Sequence, residues 1–251
     1  GLHLTTGKLI WQTHSVSGEN YFSYTNPHFE FINHHWLGEV FFYLISLAGG
    51  LKTLIVVQAI IMTGAFLLSF FAYYRKESFV VSAIVSLFSI LIFVDRALVR
   101  PEIFSFLFFS WYLFVLFRKP EPKFLWTLPV IQLVWINTHI YFFLGPMAYL
   151  FFLIDRYIKG REDVISGVWP YAKVGIAIAL VNFINPFGWK GALYPLFILH
   201  NYGVPILENM NPFRTLGFGY PAMSIWVMAA AMIITLVSFI LNRRNWKQNV
   251  F

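Results

Sequence analysis

Cysteine is absent from the 251 residues of this sequence. Its absence excludes disulfide bonds, thiol catalysis and cysteine-ligated metal sites, although it does not identify a compartment. Charged residues are also scarce, at 12% of the chain against about a quarter in soluble domains. The sequence has no Walker lysine loop, glycine-rich dinucleotide fingerprint or serine elbow, which argues against a nucleotide-driven cytosolic enzyme.

Hydrophobic residues dominate what is present: they make up 59% of the chain, and 20% of the residues are aromatic. A soluble protein of this length cannot bury so much apolar side chain, whereas a bilayer accepts it around a helical bundle. We therefore predict an all-α fold, a polytopic transmembrane helical bundle whose partner is the lipid bilayer. The net charge of +7 is better explained by basic, orienting loops than by nucleic acid, so no nucleic-acid partner is expected.

Apolar runs alternate with polar loops from residue 51 to residue 241 and predict about seven spans. The longest run, 124–154, would form a single helix of about 46 Å, against a hydrocarbon core of about 30 Å. It contains the polar triplet Asn137-Thr138-His139, so we divide it there into two short helices. The predicted spans are 51–74, 79–94, 101–117, the two parts of 124–154, 169–184 and 221–241.

Residues 1–50 are expected to form an extracytoplasmic loop with a short interfacial helix. The apolar stretch 36–48 is too short to span, and Gly49-Gly50 follows it. A second outer loop is expected over 185–220, and residues 242–251 would form a cytoplasmic tail or loop. The chain does not begin with Met and ends just after a predicted helix, so we interpret it as a fragment of one longer membrane domain.

The loops on the two sides of the predicted bundle differ in charge. Basic residues concentrate in loops that the positive-inside rule assigns to the cytoplasm, at 75–76, 118–123, 156–161 and 243–247. The opposite loops face outward and contain all seven histidines. A functional site is therefore expected on the extracytoplasmic side.

The segment DRALVRPE, 95–102, places four charged residues at one helix junction, namely Asp95, Arg96, Arg100 and Glu102. A charged side chain costs roughly 2.5–3.5 kcal/mol at the bilayer centre, so these lie at the interface, in a cavity or in pairs. One interpretation is an arginine site for a phosphate head group. The other is a solvated tight turn with its own ion pairs, and the sequence leaves both open.

The segment NHHWLGE, 33–39, places His34, His35 and Glu39 beside the predicted interfacial helix. His35 and Glu39 are four residues apart and would share a helix face. A polar network or substrate contact, metal ligation and simple interfacial polarity are the three interpretations. The zincin arrangement of two histidines and a glutamate is missing, and no metal ligand set is complete.

Asn137 and His139 lie where two predicted spans meet, either capping the helix ends or lining a wall of an outer cavity. Glu208, in ILENMNP, is an isolated acid in an apolar stretch. It is a functional candidate only if it is buried.

Several strings in this order resemble bacterial multi-spanning proteins of the GT-C glycosyltransferase superfamily, close to the dolichyl-phosphate-mannose–protein mannosyltransferase-like group. They run through most of the chain: HLTTGK at 3–8, FSYTNP at 22–27, NHHWLGEV at 33–40, RPEIFSF at 100–106, WINTHIYFFLG at 135–145, NPFGWK at 185–190 and ILENMNP at 206–212.

The resemblance implies a GT-C-like fold in the bacterial inner membrane and a lipid-phosphate-linked sugar donor. The sugar would move from a polyprenyl phosphate to an acceptor on the outer face. The expected acidic base would lie before Gly1. Arg100 would contact the lipid phosphate, and His34, His35 and Glu39 would line the acceptor or sugar pocket. The resemblance leaves a divalent metal open as a cofactor.

Two alternatives to this enzyme come from different classes of protein. A transporter or flippase would favour broken helices near the midplane and repeated halves, and the sequence shows no repeat. A membrane protein without chemistry would scatter its outward histidines and acids over the surface. Convergence of these residues on one site would distinguish the enzyme from the non-catalytic protein.

Overall fold

The computed structural model describes residues 1–22, 30–76, 79–94, 98–158, 164–201 and 222–241. Within these ranges the regular elements are helices, and the only extended pairing is a single antiparallel bridge between Glu19 and Glu30. The prediction of an all-α fold is confirmed for this part of the chain.

The helices follow the apolar runs of the sequence closely. They are α1 Leu2–Thr13, α2 Trp36–Tyr73, α3 Phe79–Val94, α4 Glu102–Arg118, α5 Pro122–Leu125, α6 Thr127–Ile136, α7 Leu144–Ile158, α8 Val164–Val181, α9 Trp189–Asn201 and α10 Ala222–Leu241. A short 3-10 helix, Ile140–Phe143, leads into α7.

Helix α2 changes direction at its glycine pair. Gly50 has a φ of 66° and a ψ of −144°, a backbone conformation that favours glycine because a Cβ atom would be strained there. The predicted break between the interfacial stretch and the first span therefore occurs inside one long helical element. Among the described residues, α2 is the helix long and apolar enough to cross a membrane, and shorter apolar helices cover Pro122–Ile136, Trp169–Val181 and Ile225–Ser238.

The packed core lies between the first half of α2, α4, α6 and α7. Phe42 and Phe104 stack with ring centroids 5.5 Å apart, and Phe104 stacks in turn on Phe108 at 6.2 Å. Phe108 then meets Trp135 of α6 at 6.0 Å. Each aromatic pair of this kind adds about 0.5–1.5 kcal/mol beyond the area it buries.

The polar triplet interrupts the run 124–154, as the length argument predicts. Helix α6 ends at Ile136, and the chain then returns so closely that a Cβ atom at Gly145 would overlap the side chain of Gln132. The Gln132 amide donates to the carbonyl of Phe142 at 3.0 Å and to Oδ1 of Asn182 at 2.7 Å. These buried hydrogen bonds join α6 to the following turn and to the end of α8.

Two helices lie in segments for which no helix bounds were predicted. Residues 2–13 and 189–201 belong to the predicted outer loops, and they form α1 and α9. Helix α1 makes no side-chain cap hydrogen bond and buries little besides Gly7 and Ile10. The sequence of this segment therefore gives little indication of a helix. Its packing against α2 supplies the stabilisation that local sequence does not, because most helical stability in proteins comes from tertiary contact.

A wide apolar surface covers the second half of α2, α3 and α10. Leu51 is 67% exposed, Val80 66% and Leu241 78%. Monomeric soluble proteins rarely present continuous apolar patches larger than a few hundred Å². At the end of α2 furthest from Trp36, the Arg118 guanidinium donates from Nε to the carbonyl of Phe71 at 2.7 Å.

Candidate functional site

A close helix contact brings His3 to Glu39. Gly7 of α1 lies directly against the backbone of Glu39 in α2, where a Cβ atom would overlap the Glu39 carbonyl. His3 precedes Gly7 by about one helical turn and therefore lies on the same face of α1. Its Nδ1 atom is 2.8 Å from Oε1 of Glu39.

The Glu39 carboxylate is buried, with 4% of the residue exposed. Its second oxygen, Oε2, accepts a hydrogen bond of 2.7 Å from the amide of Asn33. The Asn33 side chain also accepts a hydrogen bond from the backbone N–H of His35 at 3.0 Å. Both carboxylate oxygens are thus bonded, which offsets the cost of burying the charge.

Four histidine rings and this carboxylate form what we call the histidine cluster: His3, His34, His35, His139 and Glu39. His35 lies at its centre, with ring centroids 4.0 Å from His34, 5.1 Å from His139 and 5.7 Å from His3. The cluster therefore combines residues from α1, from the start of α2 and from the turn after α6.

His139 is held by two further helices. The Trp135 indole N–H donates to Oγ of Ser105 at 2.7 Å, and Oγ lies 2.8 Å from Nδ1 of His139. Since the indole can only donate, the Ser105 hydroxyl proton is directed to His139. The backbone N–H of Tyr141 also points to Nδ1, at 3.4 Å, so the ring proton of neutral His139 lies on Nε2.

Asn137 joins three segments beneath the cluster. Its Oδ1 accepts from the Trp36 indole at 2.8 Å, and its Nδ2 donates to the carbonyls of Leu133 at 2.8 Å and Ile184 at 3.0 Å. The Asn137 carbonyl accepts from the backbone N–H of Leu37 at 3.0 Å. Both amide donors of Asn137 are used, and the bonds to Leu133 and Leu37 satisfy groups at the end of α6 and the start of α2, as the capping interpretation expects.

Burial keeps the inner histidines neutral. Burial lowers the pKa of His34 to about 4, against an opposing hydrogen bond to the carbonyl of Ile32. Burial, with the neighbouring imidazoles adding to it, lowers the pKa of His35 well below its usual value, and burial lowers that of His139 to about 3. At neutral pH the imidazoles of His34, His35 and His139 are therefore uncharged. Among the described residues, no group of three or more His, Asp or Glu side chains is arranged to hold a metal ion.

The other predicted site residues divide between the described and undescribed parts of the chain. Arg100 and Glu102 are half-buried at the start of α4, at the same end of that helix as Ser105. Asp95, Arg96 and Glu208 lie outside the described residues. The binding roles predicted for all of these side chains stay predictions.

A groove adjoins the cluster on the side of α9. Its volume is about 270 Å³, and it is lined by Ile32, Trp189, Lys190, Leu193, Tyr194 and Phe197. The Tyr194 ring lies 5.3 Å from that of His34, so this residue belongs to both the groove and the edge of the cluster. Lys190 forms an exposed ion pair with Glu30.

Sequence reasoning did not select four residues of this site: His3, Asn33, Ser105 and Tyr194. The motif NHHWLGE contains Asn33, and a buried carboxylate needs a donor, so this residue could have been found locally. His3 is separated from Glu39 by 36 positions and Ser105 from His139 by 34, so no local pattern connects them.

Comparison of the chain with family models, with curated proteins and with solved structures finds no match. The resemblance to GT-C glycosyltransferases therefore rests on the motifs quoted above.

Proposed function

We propose that this chain is part of a polytopic membrane glycosyltransferase, which moves a sugar from a polyprenyl-phosphate-linked donor to an acceptor on the outer face of the membrane. The observation that carries the proposal is the convergence of separate loops on one histidine cluster. These loops, 1–50 and 137–139, are the ones that charge distribution assigns to the same side of the bilayer.

The exposed apolar surface supports the membrane part of the proposal. Helices α2, α3 and α10 present Leu, Val and Ile side chains that water would disfavour and lipid would accept. On this proposal the apolar helices form about seven spans, with Arg118 at the cytoplasmic end and the histidine cluster at the extracytoplasmic end. The location would be a bacterial inner membrane.

The position of the polar groups favours transfer over the two alternatives. A transporter places its polar residues near the bilayer midplane on broken helices. The histidine cluster instead lies at helix ends, where α4 begins and α6 stops. A purely structural membrane protein gains nothing from gathering four imidazoles around a buried carboxylate, since burial of polar groups is costly unless every group is bonded.

Transfer from a lipid phosphate needs few catalytic parts. The phosphate is the leaving group, so the enzyme has to hold the acceptor in line, accept its proton and stabilise the charge that develops on the phosphate. We assign the charge stabilisation to Arg100, at the start of α4, and the acceptor side to the histidine cluster. A divalent metal would draw at least part of its ligand set from residues outside those described.

The test uses the full-length protein in membrane vesicles with a panel of radiolabelled polyprenyl-phosphate hexoses. The proposal expects label to move into a new product, and Arg100→Ala to reduce the rate at least about 100-fold, as for loss of one charge-stabilising group. Arg75→Ala removes an exposed arginine from a loop on the other side and serves as the matched control.

One result would overturn the proposed function, and another would reject the role assigned to Arg100. Absence of transfer from every donor rejects the enzyme, and movement of intact labelled donor across the bilayer would then identify a flippase. Full activity of Arg100→Ala, with normal transfer in the wild type, rejects the phosphate role of this residue.

A further inference from the structure

The histidines of the cluster differ in how much of each is open to a ligand. The side chain of His3 is 33% exposed, whereas His34 is 8% exposed and His139 is 6% exposed. His35 lies between its neighbours, in ring contact with the other three. A small molecule that approached the cluster from outside would therefore reach His3 before His34 and His139.

The hydrogen bond to Glu39 fixes which ring nitrogen of neutral His3 carries the proton. A carboxylate has only acceptor atoms, so Nδ1 of His3 donates at this 2.8 Å contact. In neutral His3 the lone pair is then on Nε2. Since Asn33 holds the other Glu39 oxygen at 2.7 Å, the carboxylate cannot turn away from the ring.

Two other imidazoles of the cluster are hydrogen-bonded elsewhere, whereas His35 is half-buried among the rings. Nδ1 of His139 accepts from Ser105 and Tyr141, and Nδ1 of His34 lies 3.1 Å from the carbonyl of Ile32. Both rings are buried. Among the described residues, His3 is the histidine that is bonded to the Glu39 carboxylate. A base paired with a buried, oriented carboxylate and still open to a ligand is the arrangement that general-base catalysis uses.

We propose that His3, oriented by Glu39, accepts the proton of the acceptor hydroxyl during sugar transfer. This inference rests on the proposed function, and it assigns the base to His3 in place of the acidic residue before Gly1 that the resemblance implies. It also narrows the acceptor to a molecule with a hydroxyl group, because a neutral imidazole removes the proton as the oxygen attacks.

The acceptor oxygen forms a bond to the anomeric carbon of the sugar while the bond from that carbon to the phosphate oxygen breaks, and its electron pair leaves with the polyprenyl phosphate. The acceptor proton moves to Nε2 of His3. The resulting imidazolium is stabilised through Nδ1–H by the Glu39 carboxylate, and it releases the proton to water after the product leaves.

Two substitutions separate a base from a merely structural residue. In His3→Asn the amide nitrogen replaces Nδ1 and keeps a donor for Glu39, but nothing replaces Nε2. In His3→Gln the amide lies near the position of Nε2 but cannot take up a proton. His14→Asn, at the other end of α1, is the matched control, because His14 has a φ of 52° that asparagine tolerates well.

The experiment measures kcat, KM and the pH profile of transfer by the full-length protein. The groups that face His3 are Glu39, His34, His35 and His139, and all four remain in every variant. The proposal expects His3→Asn and His3→Gln to lower kcat by about 10²- to 10⁴-fold and to remove the acid limb of the kcat/KM profile. His14→Asn should retain the wild-type rate and profile.

A wild-type protein that transfers sugar, with His3→Asn or His3→Gln keeping its kcat and acid limb, would falsify the role of His3 and leave the proposed function intact. A wild type that transfers nothing rejects both. If His3→Asn proves unstable in a melting experiment, the pH profile of His3→Gln decides the question.

Discussion

Gly7 of α1 and Glu39 of α2 are in backbone contact, so close that position 7 has no room for a side chain. This contact sets the distance between the two helices and thereby places His3 beside the Glu39 carboxylate. One glycine therefore determines whether His3 can reach the rest of the histidine cluster.

Gly7→Ala should separate α1 from α2. We expect a loss of about 1–3 kcal/mol in stability, the range for overpacking a close contact, together with loss of transfer activity. Gly64→Ala in α2 is the matched control, because its Cβ atom would lie 3.7 Å from Leu107, an ordinary contact. Thermal melting in detergent should show a lower midpoint for Gly7→Ala alone, and equal midpoints would show that α1 can shift without cost.

Asn137→Asp should destabilise the turn between α6 and α7. The substitution replaces an amide donor with an acceptor that faces the carbonyls of Leu133 and Ile184, and each buried polar group left without a partner costs about 1–3 kcal/mol. The same substitution at Asn20, a half-buried position before the first loop turn, should have little effect on the melting midpoint. A stable Asn137→Asp protein would mean that the turn does not depend on this amide.

Ser105→Ala should weaken the support of His139. It removes the acceptor of the Trp135 indole and the donor to Nδ1 of His139, both of them buried. We expect a loss of about 1–3 kcal/mol in the free energy of unfolding. Ser89→Ala removes an exposed hydroxyl that bonds only within its own helix and should change stability by less than about 0.5 kcal/mol. Comparable losses for the two variants would contradict this account.

The buried imidazoles predict that the protein loses stability in acid. In the folded state burial lowers the pKa of His34 to about 4, below the ordinary value of 6.5 that applies when the chain unfolds. Below about pH 6.5 the unfolded chain therefore binds a proton that the folded chain excludes, and the free energy of unfolding falls by about 1.4 kcal/mol per pH unit for each such histidine. The contribution of His34 to this loss of stability ends near its folded-state pKa, where the folded residue also binds a proton.

Melting between about pH 7.5 and about pH 5 tests this prediction. His34→Gln removes one titrating group and should reduce the slope of stability against pH. His14→Gln, at an exposed position, is the matched control. An unchanged slope for His34→Gln would show that His34 binds its proton equally well in the folded and the unfolded protein, so that burial does not lower its pKa.

Helix positions were largely predictable from the sequence, because apolar runs form the helices and the polar or glycine residues between the runs end them. The bounds of α3 agree with the predicted run 79–94, and the breaks at Gly49-Gly50 and at Asn137-Thr138-His139 occur where glycine and trapped polar groups require them. Helices α1 and α9 were not predicted, because they are stabilised by contacts that the local sequence does not show. Helix α1 packs against α2, and α9 packs against the turn before α7.

The sequence motifs of the candidate site could be recognised, but the contacts between residues far apart in the sequence could not be predicted. His34, His35 and Glu39 stood out because they are concentrated in seven residues beside an apolar helix. His3 reaches Glu39 from a separate helix, and Ser105 reaches His139 from α4, so both pairs depend on how the helices pack. Asn137 was expected either to cap or to line a cavity, and its bonds to Leu133 and Leu37 are of the capping kind.

The glycine pair in α2 also isolates changes in one half of the helix from the other. In a continuous helix, one inserted residue rotates everything beyond it by about 100°. At Gly49-Gly50 the helical path is already interrupted, so an insertion or deletion there would be absorbed locally. The two halves therefore take their facing from separate contacts: the half after residue 50 from α4, through the bond between Arg118 and Phe71, and the first half from α1, through the bond between His3 and Glu39.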